Sequence, residues 1–266
     1  SSLLEEALAL LEPQEHPTEV AELMDALAEN KLNLGKPEEA RAMHREANML
    51  RSESTPDDIY LEARALLRTG RLFQAVERFE TYNPENMDVS SLLRPQRFHR
   101  EMPLLLSLIH LMLGNIDKGE HFARQGVEIG RKLDSPFVEA VGWMRLGHAA
   151  QLKPQLPWQS KRLDQAMKFY EHANELVRPF NVVRVQVEPL WGLCRYYGYQ
   201  GHLTEAIKIT GQAIDIADSS GDNWFVGLLQ TTLGTSFDLA GEFTRADHWL
   251  KLSIERFTDV SDIFGL

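Results

Sequence analysis

A short sequence phrase that returns at regular intervals limits what this 266-residue chain can fold into. Each copy places a small residue five positions after a glycine, and the small residue opens a segment of helical apolar periodicity. Because successive small residues lie between 33 and 47 positions apart, the pattern predicts an array of helix–turn–helix units. The complete copies are Gly35–Ala40, Gly70–Ala75, Gly114–Gly119, Gly201–Ala206 and Gly241–Ala246, and two partial copies hold Ala7 and Ala166.

The residue types of each copy are those that a closely packed helix pair requires. The glycine can end the first helix in the left-handed conformation, and the small residue lets the second helix pack tightly against the first. In the copy at Ala166, Tyr170 and Ala173 continue the buried face of the second helix. The first helices have their own repeated signature, which reads Trp143, Leu146, Gly147 and Ala150 in one copy and Leu190, Leu193, Cys194 and Tyr197 in the next.

Together these residues resemble tetratricopeptide repeats, and the resemblance covers nearly the whole chain. It implies an all-α fold, a right-handed α-solenoid of about six and a half helix pairs, with the first helices on the concave surface and the second helices outside. Most intervals exceed the ordinary repeat of about 34 residues, which is typical of long-repeat members. We therefore expect residues 1–266 to form one superhelical domain. Because the first copy starts in mid-repeat, we expect that domain to be a fragment of a larger protein.

The periodicity also predicts where the helices lie. Two prolines, Pro103 and Pro189, fall inside the apolar periodicity of first helices, so we expect each to kink or restart its helix. No alternating pattern long enough for a β-strand is present. We predict a lone second helix at about 1–12, helix pairs at about 17–50, 56–82, 90–132, 136–178, 181–218 and 222–257, and a short tail to Leu266.

Composition excludes several classes of protein. With a formal net charge of −11, the chain repels phosphate backbones, so we expect no direct nucleic-acid contact by this segment. Its longest apolar run, Pro103 to Gly114, is too short for a membrane span, and no basic leader is visible, so we expect a soluble cytoplasmic protein without membrane contact. The single cysteine, Cys194, excludes an internal disulfide and is expected to be a buried structural thiol.

The sequence contains none of the common catalytic motifs. No phosphate-binding loop, dinucleotide-binding glycine motif or zinc-protease motif occurs, so we predict a non-enzymatic protein without cofactor or metal. His172 and Glu175 lie three positions apart on one predicted helix. Such a pair arises often by chance, and a solvated helix face is the favoured interpretation.

The spacing of the first-helix signature predicts which side chains face the concave groove. Arginine forks suit carboxylates and phosphates, and aromatic faces add contact area, so we predict a groove for a peptide, a protein or a small anionic effector. The alternative is that these arginines pair with glutamates of the same stripes, such as Glu101 and Glu188. The predicted groove residues are Tyr60, Arg64, Arg68, Arg97, His148, Arg184, Trp191 and Arg195, together with Arg100 from the basic cluster around Arg97.

The last repeats, around residues 221–257, are similar to the sensor arms of bacterial signal-transduction ATPase regulators of the maltose-activator type. That resemblance implies a role in signal transduction and transcription regulation, in which the repeats receive an inducer or an inhibitory partner. The ATPase module would lie elsewhere in the parent chain. Two alternatives remain open: a protein-interaction adaptor of the kinesin-light-chain or polarity-protein type, and a peptide-pheromone receptor domain.

Overall fold

The computed structural model describes residues 2–34, 36–51, 56–80, 97–153, 161–180 and 183–260. Within these ranges the chain forms thirteen α-helices and no β-strand, which confirms the predicted all-α solenoid. The helices are α1 (Ser2–Ala9), α2 (Pro17–Asn33), α3 (Pro37–Leu50), α4 (Pro56–Arg68), α5 (Leu72–Glu80), α6 (Arg97–Met112), α7 (Ile116–Lys132), α8 (Pro136–Leu152), α9 (Lys161–Val177), α10 (Val183–Tyr199), α11 (Leu203–Ser219), α12 (Asn223–Leu239) and α13 (Phe243–Asp259).

These helices follow the predicted pairs. After the lone helix α1, each even-numbered helix from α2 to α12 packs against the helix that follows it. The even-numbered helices are therefore the first helices of the repeats, and each also packs against the first helix of a neighbouring repeat. Helix α1 ends at Ala9 rather than at residue 12, and the expected start of α6 near residue 90 lies outside the described residues.

The repeated glycines end first helices as the sequence predicts. Gly70, Gly114, Gly201 and Gly241 have positive φ angles of 70° to 78°, a conformation that costs glycine little. After each of them the backbone N–H of the next residue donates to a carbonyl five positions back, as in the bond from Asn115 to His110. Gly35 lies outside the described residues.

Both internal prolines lie within continuous helices. Pro103 and Pro189 are buried inside α6 and α10, which run from Arg97 to Met112 and from Val183 to Tyr199. Of the two predicted outcomes, a restart of the helix is wrong, whereas a kink at each proline stays a prediction. Each proline removes one backbone hydrogen bond, and the packing of a largely buried helix offsets that loss.

Glycines let first helices approach a second helix closely. A methyl group built on Gly147 of α8 would lie 2.5 Å from Cε1 of Tyr170, and one on Gly192 of α10 would also overlap that ring. The fully buried side chain of Tyr170, from α9, therefore reaches between α8 and α10. Since real Cβ atoms do not approach so closely, larger residues at the two glycines would separate the helices.

The superhelix brings distant repeats into contact. The guanidinium of Arg68, at the end of α4, pairs with both carboxylate oxygens of Asp222, the residue before α12, at 3.0 and 3.2 Å. The same guanidinium lies 4.1 Å from the ring centroid of Trp224. Arg68, Asp222 and Trp224 form what we call the closing contact. In the part of the chain described here, none of the helices combines the length and apolar character that a membrane span requires.

Candidate functional site

A cavity of about 280 Å³ lies on the inner surface of the superhelix. Every residue that lines it belongs to a first helix, and the contributing helices are α4, α6, α8, α10 and α12. Five consecutive repeats thus contribute to one site, as the predicted concave groove requires. Its apolar wall includes Leu104, Leu105, Leu108, Val138, Val141, Met144, Trp224 and Phe225.

One side of the cavity carries a network of paired charges. Arg97 pairs with Glu29 of α2 and, through Nε, with Oε1 of Glu101 at 3.0 Å. Arg64 donates from Nη1 to Oε1 of Glu29 at 2.8 Å, and the hydroxyl of Tyr60 donates to Oε2 of Glu101 at 2.6 Å. Both guanidinium groups lie within 6 Å of the Tyr60 ring centroid, at 5.7 and 5.3 Å.

These contacts shift the protonation equilibria of the network. Burial alone would raise the pKa of Glu29, but the hydrogen bond from Arg97 and the charges of Arg64 and Arg97 lower that pKa to about 2. Burial, together with the nearby carboxylate of Glu101, raises the pKa of the Tyr60 phenol. At neutral pH the network therefore holds an ionised Glu29 and a neutral Tyr60.

A further pair of charges stands on the opposite wall. The buried guanidinium of Arg145 pairs with Glu188 of α10 and donates from Nε to the carbonyl oxygen of Leu104 at 3.2 Å. Arg68 of the closing contact also lines the cavity. Among the described residues, four arginines face four carboxylates around the site, so the formal charges of these eight groups balance.

The predicted groove residues separate into two groups. Tyr60, Arg64, Arg68 and Arg97 line the cavity, whereas the residues that line it do not include Arg100. Each of these three cavity arginines is paired with an acidic side chain, but only the pair of Arg97 and Glu101 lies on one stripe, as the alternative interpretation expected. The side chain of Arg184 lies outside the described residues.

The other predicted residues meet one helix turn away. His148 and Trp191 make an edge-to-face contact with ring centroids 4.9 Å apart, and the His148 ring lies 5.5 Å from that of Tyr170. The guanidinium of Arg195 lies over Trp191 at 5.3 Å from the centroid. We call His148, Tyr170, Trp191 and Arg195 the His148 cluster. Tyr170 was expected to be only a packing residue.

Several contributors to the cavity were not predicted. Arg145 lines the cavity but is not among the predicted groove residues. Glu29 and Asp222 were missed because the side chains they pair with lie 35 and 154 positions away along the chain. A partial signal for Asp222 was available, since it is the N-cap of α12 and accepts from the backbone N–H of Phe225.

One group of side chains has the composition of a metal site. The ligand atoms of Asp25, His44 and Asp58 all lie within 4.8 Å of one another. However, Arg51 pairs with both carboxylates, and Nδ1 of His44 lies 2.7 Å from Oδ1 of Asp25. The guanidinium already binds one oxygen of each carboxylate that a cation would need. We interpret the group as an ion-pair network that joins α2, α3 and α4.

Two smaller predictions concern single residues. Cys194 is fully buried, and burial raises the pKa of its thiol to about 12, which confirms the structural assignment. His172 and Glu175 are both exposed on α9, as expected for a solvated helix face.

Three solved structures are similar to this fold. A signal transduction ATPase with numerous domains (STAND) protein with a tetratricopeptide repeat sensor, from Pyrococcus horikoshii, matches with a TM-score of 0.59 and 15% identity over 91% of this chain and 36% of that chain. A Rap protein complexed with Competence and Sporulation Factor matches with a TM-score of 0.62 and 13% identity over 97% and 74% of the two chains. BtubC (BKLC) from P. vanneervenii matches with a TM-score of 0.50 and 15% identity over 90% and 91%.

The likeness to the STAND and Rap structures shows the fold, a tetratricopeptide-type superhelix, as the repeat pattern predicted. The chain spans about a third of the length of the STAND protein. No protein-family model and no curated protein matches the sequence.

Proposed function

We propose that the chain is a non-enzymatic effector-binding domain, because it forms a tetratricopeptide-type superhelix whose first helices enclose a cavity. The observation that carries this proposal is the cavity itself, which draws its wall from five repeats. Ligand sites in proteins are concave and mostly apolar, with a few placed polar groups, and this site has that composition.

The volume of the cavity limits its occupant. A space of about 280 Å³ lies at the lower end of the range for small-molecule pockets. It suits a small effector or the end of a peptide with one anchoring side chain better than it suits a whole helix of a protein partner. We therefore favour a small effector over a protein partner.

The balanced charges refine the chemistry of that effector. A multiply charged anion would have to displace a carboxylate already bound to arginine, as at Arg97 and Glu101. An amphipathic molecule keeps these pairs intact. Its apolar body contacts Leu104, Leu108 and Val141, and its polar group reaches the network of Tyr60, Glu101 and Arg97.

The likeness to the STAND sensor and to the Rap complex supports a role in signalling. We propose that the chain is the sensing domain of a larger regulator of signal transduction or transcription, with a catalytic module elsewhere in the parent protein. The adaptor and pheromone-receptor alternatives predict binding of extended peptides rather than of small molecules.

A cavity-filling variant tests this proposal. Val141→Phe places a ring in the space, and a matched control, Ile254→Phe, adds a similar volume at an exposed position of α13. A panel of small amphipathic molecules is screened by thermal shift, since any compound that binds only the folded state raises its midpoint. We expect hits that are lost in Val141→Phe and kept in the control. Hits that survive in Val141→Phe, or a response to extended peptides alone, would contradict a small effector in this cavity.

A further inference from the structure

The hydroxyl of Tyr170 is not needed to pack the helices. Its ring fills the space between Gly147 and Gly192, and a phenylalanine ring would fill the same space. The side chain is nevertheless a tyrosine, fully buried, and its hydroxyl has no hydrogen-bond partner among the described residues. A buried hydroxyl without a partner is costly, so its presence requires an explanation.

His148, which lies beside Tyr170, also has buried polar atoms without partners among the described residues. Only 2% of its surface is exposed, and neither Nδ1 nor Nε2 finds a partner within the described ranges. A neutral imidazole offers one donor and one acceptor, so both capacities are unused. The His148 cluster thus contains three buried polar atoms without partners on two adjacent side chains from different helices.

The charge around these atoms is positive. Burial, followed by the charges of Arg145 and Arg195, lowers the pKa of His148 well below its ordinary value, and no carboxylate among the described residues contributes to this shift. Arg145 is compensated by Glu188. Arg195 lies over the rings of Trp191 and Tyr199 and forms no ion pair in the portion of the chain that is described. A cation is therefore disfavoured at this position, and an anion is favoured.

We propose that Tyr170, His148 and Arg195 bind one small oxyanion on the groove side of α8 and α10. The phenol, one imidazole N–H and the guanidinium would each donate to its oxygens, which satisfies the buried donors and compensates Arg195. Arg195 is only half-buried and forms the accessible side of the site. The oxyanion is either a free ion or the carboxylate of the effector that occupies the neighbouring cavity, and only this second source rests on the proposed function.

The proposed oxyanion site and the cavity share one neighbouring residue, Arg145. Arg145 lines the cavity, and its charge acts on both His148 and Tyr170. His148 follows Arg145 by three positions on α8, so the His148 cluster lies about one helix turn from the cavity wall.

The first experiment uses acetate as the probe, titrated at constant ionic strength against chloride. Binding is followed by the thermal midpoint and by the ring resonances of His148. Wild type should show a saturable response. Tyr170→Phe should reduce the affinity for acetate at least tenfold, while the control Tyr196→Phe, on a half-buried tyrosine of α10, should leave it unchanged.

A second pair of variants tests the cation. Arg195→Gln should also reduce acetate affinity at least tenfold, whereas Arg124→Gln, on an exposed arginine paired with Glu120, should not. Equal acetate affinity in wild type, Tyr170→Phe and Arg195→Gln would overturn the proposal. So would a crystal structure in acetate in which only a water molecule contacts Tyr170 and His148.

A third measurement compares the affinities for acetate and hexanoate. It distinguishes a free oxyanion from the carboxylate of an effector, and it tests the oxyanion site separately from the proposed effector cavity. Hexanoate carries the same carboxylate on an apolar chain and should bind wild type more tightly than acetate if the effector supplies the anion. Val141→Phe should remove that extra affinity and leave acetate binding intact. Equal affinities for acetate and hexanoate would assign the site to a free ion. Loss of acetate binding in Val141→Phe would show that acetate binds in the cavity rather than in the His148 cluster, which would contradict the proposed oxyanion site.

Discussion

Arg68 and Asp222 form a buried, two-pronged ion pair although 154 positions separate them along the chain. One belongs to the second complete repeat and the other to the start of the last. Trp224 covers the guanidinium, and Asp222 also caps α12 by accepting from the N–H of Phe225. The pair therefore joins the second repeat to the last one, and both partners lie beside residues of the cavity wall.

Loss of this pair should loosen the superhelix. Asp222→Asn removes the carboxylate charge that pairs with the buried guanidinium of Arg68, so we expect the free energy of unfolding to fall by about 3–5 kcal/mol. The radius of gyration from small-angle scattering should also increase. As a control, Arg71→Gln removes a partly exposed partner of Glu38 and should cost less than about 1 kcal/mol. An unchanged radius in folded Asp222→Asn would show that the pair does not hold the ends together.

The close approach of helices at Gly147 makes a second prediction. Gly147→Ala brings a methyl group against the Tyr170 ring, so we expect a destabilisation of about 1–3 kcal/mol in chemical denaturation. Gly211→Ala is the matched control, because it lies on an exposed face of α11 with no atom within 4 Å of the added Cβ. That change should stabilise the protein by up to about 1 kcal/mol. Similar effects at the two glycines would refute the helix-crossing interpretation.

The low pKa of Glu29 predicts an acid-dependent stability. In the folded chain this pKa is about 2, below its ordinary value of 4.5. Because folding lowers it, the ionised carboxylate stabilises the fold above about pH 4.5, and this contribution is lost as the pH falls towards 2. Glu29→Gln should therefore be less stable than wild type at neutral pH and should lose less stability on acidification. Parallel stability–pH curves for the variant and wild type would contradict this. Glu22→Gln, on an exposed position of α2, is the control.

Two predicted groove arginines should respond differently to removal. Arg97→Ala leaves Glu29 and Glu101 without a shared partner, so its thermal midpoint should fall clearly. Arg195→Ala removes a side chain that contacts only aromatic faces among the described residues, so its midpoint should change little. Equal midpoints for the two variants would mean that the ion pairs of Arg97 with Glu29 and Glu101 contribute nothing to stability.

The buried thiol offers a direct measure of unfolding. Cys194 is the single cysteine of the chain, is fully buried, and has a pKa near 12. Iodoacetamide should therefore not modify the folded protein, because a buried, protonated thiol is a poor nucleophile. Modification should rise with denaturant in parallel with the loss of helical circular dichroism. Rapid labelling under native conditions would contradict the burial of α10.

The repeat pattern was sufficient to predict the helices because each signal is local. A glycine such as Gly114 ends a helix by its own conformation, and the small residue Ala166 determines only the contact with an adjacent helix. The same spacing placed Tyr60, Arg64, Arg68 and Arg97 on the inner surface, and the structure finds all four at the cavity.

The ion pairs could not be predicted in the same way. The position of α12 relative to α4 depends on the sum of small rotations at every intervening helix contact, and no short segment specifies that sum. Asp222 is therefore an ordinary helix cap in the sequence and becomes the partner of Arg68 only in the complete superhelix. Arg145 was missed for a related reason, because its contacts with Glu188 and Leu104 come from the neighbouring repeats.

The closing contact has a thermodynamic consequence. Arg68 of α4 and Trp224 and Phe225 of α12 line the same cavity, so the binding of an occupant that contacts both helices would be linked to their separation. By reciprocity, an occupant that contacts both helices would stabilise the arrangement in which α4 and α12 meet. Separating the two helices would lower the affinity for that occupant by the same free energy. Under the proposed function, a small molecule that contacts both α4 and α12 would therefore change the distance between the second and the last repeat.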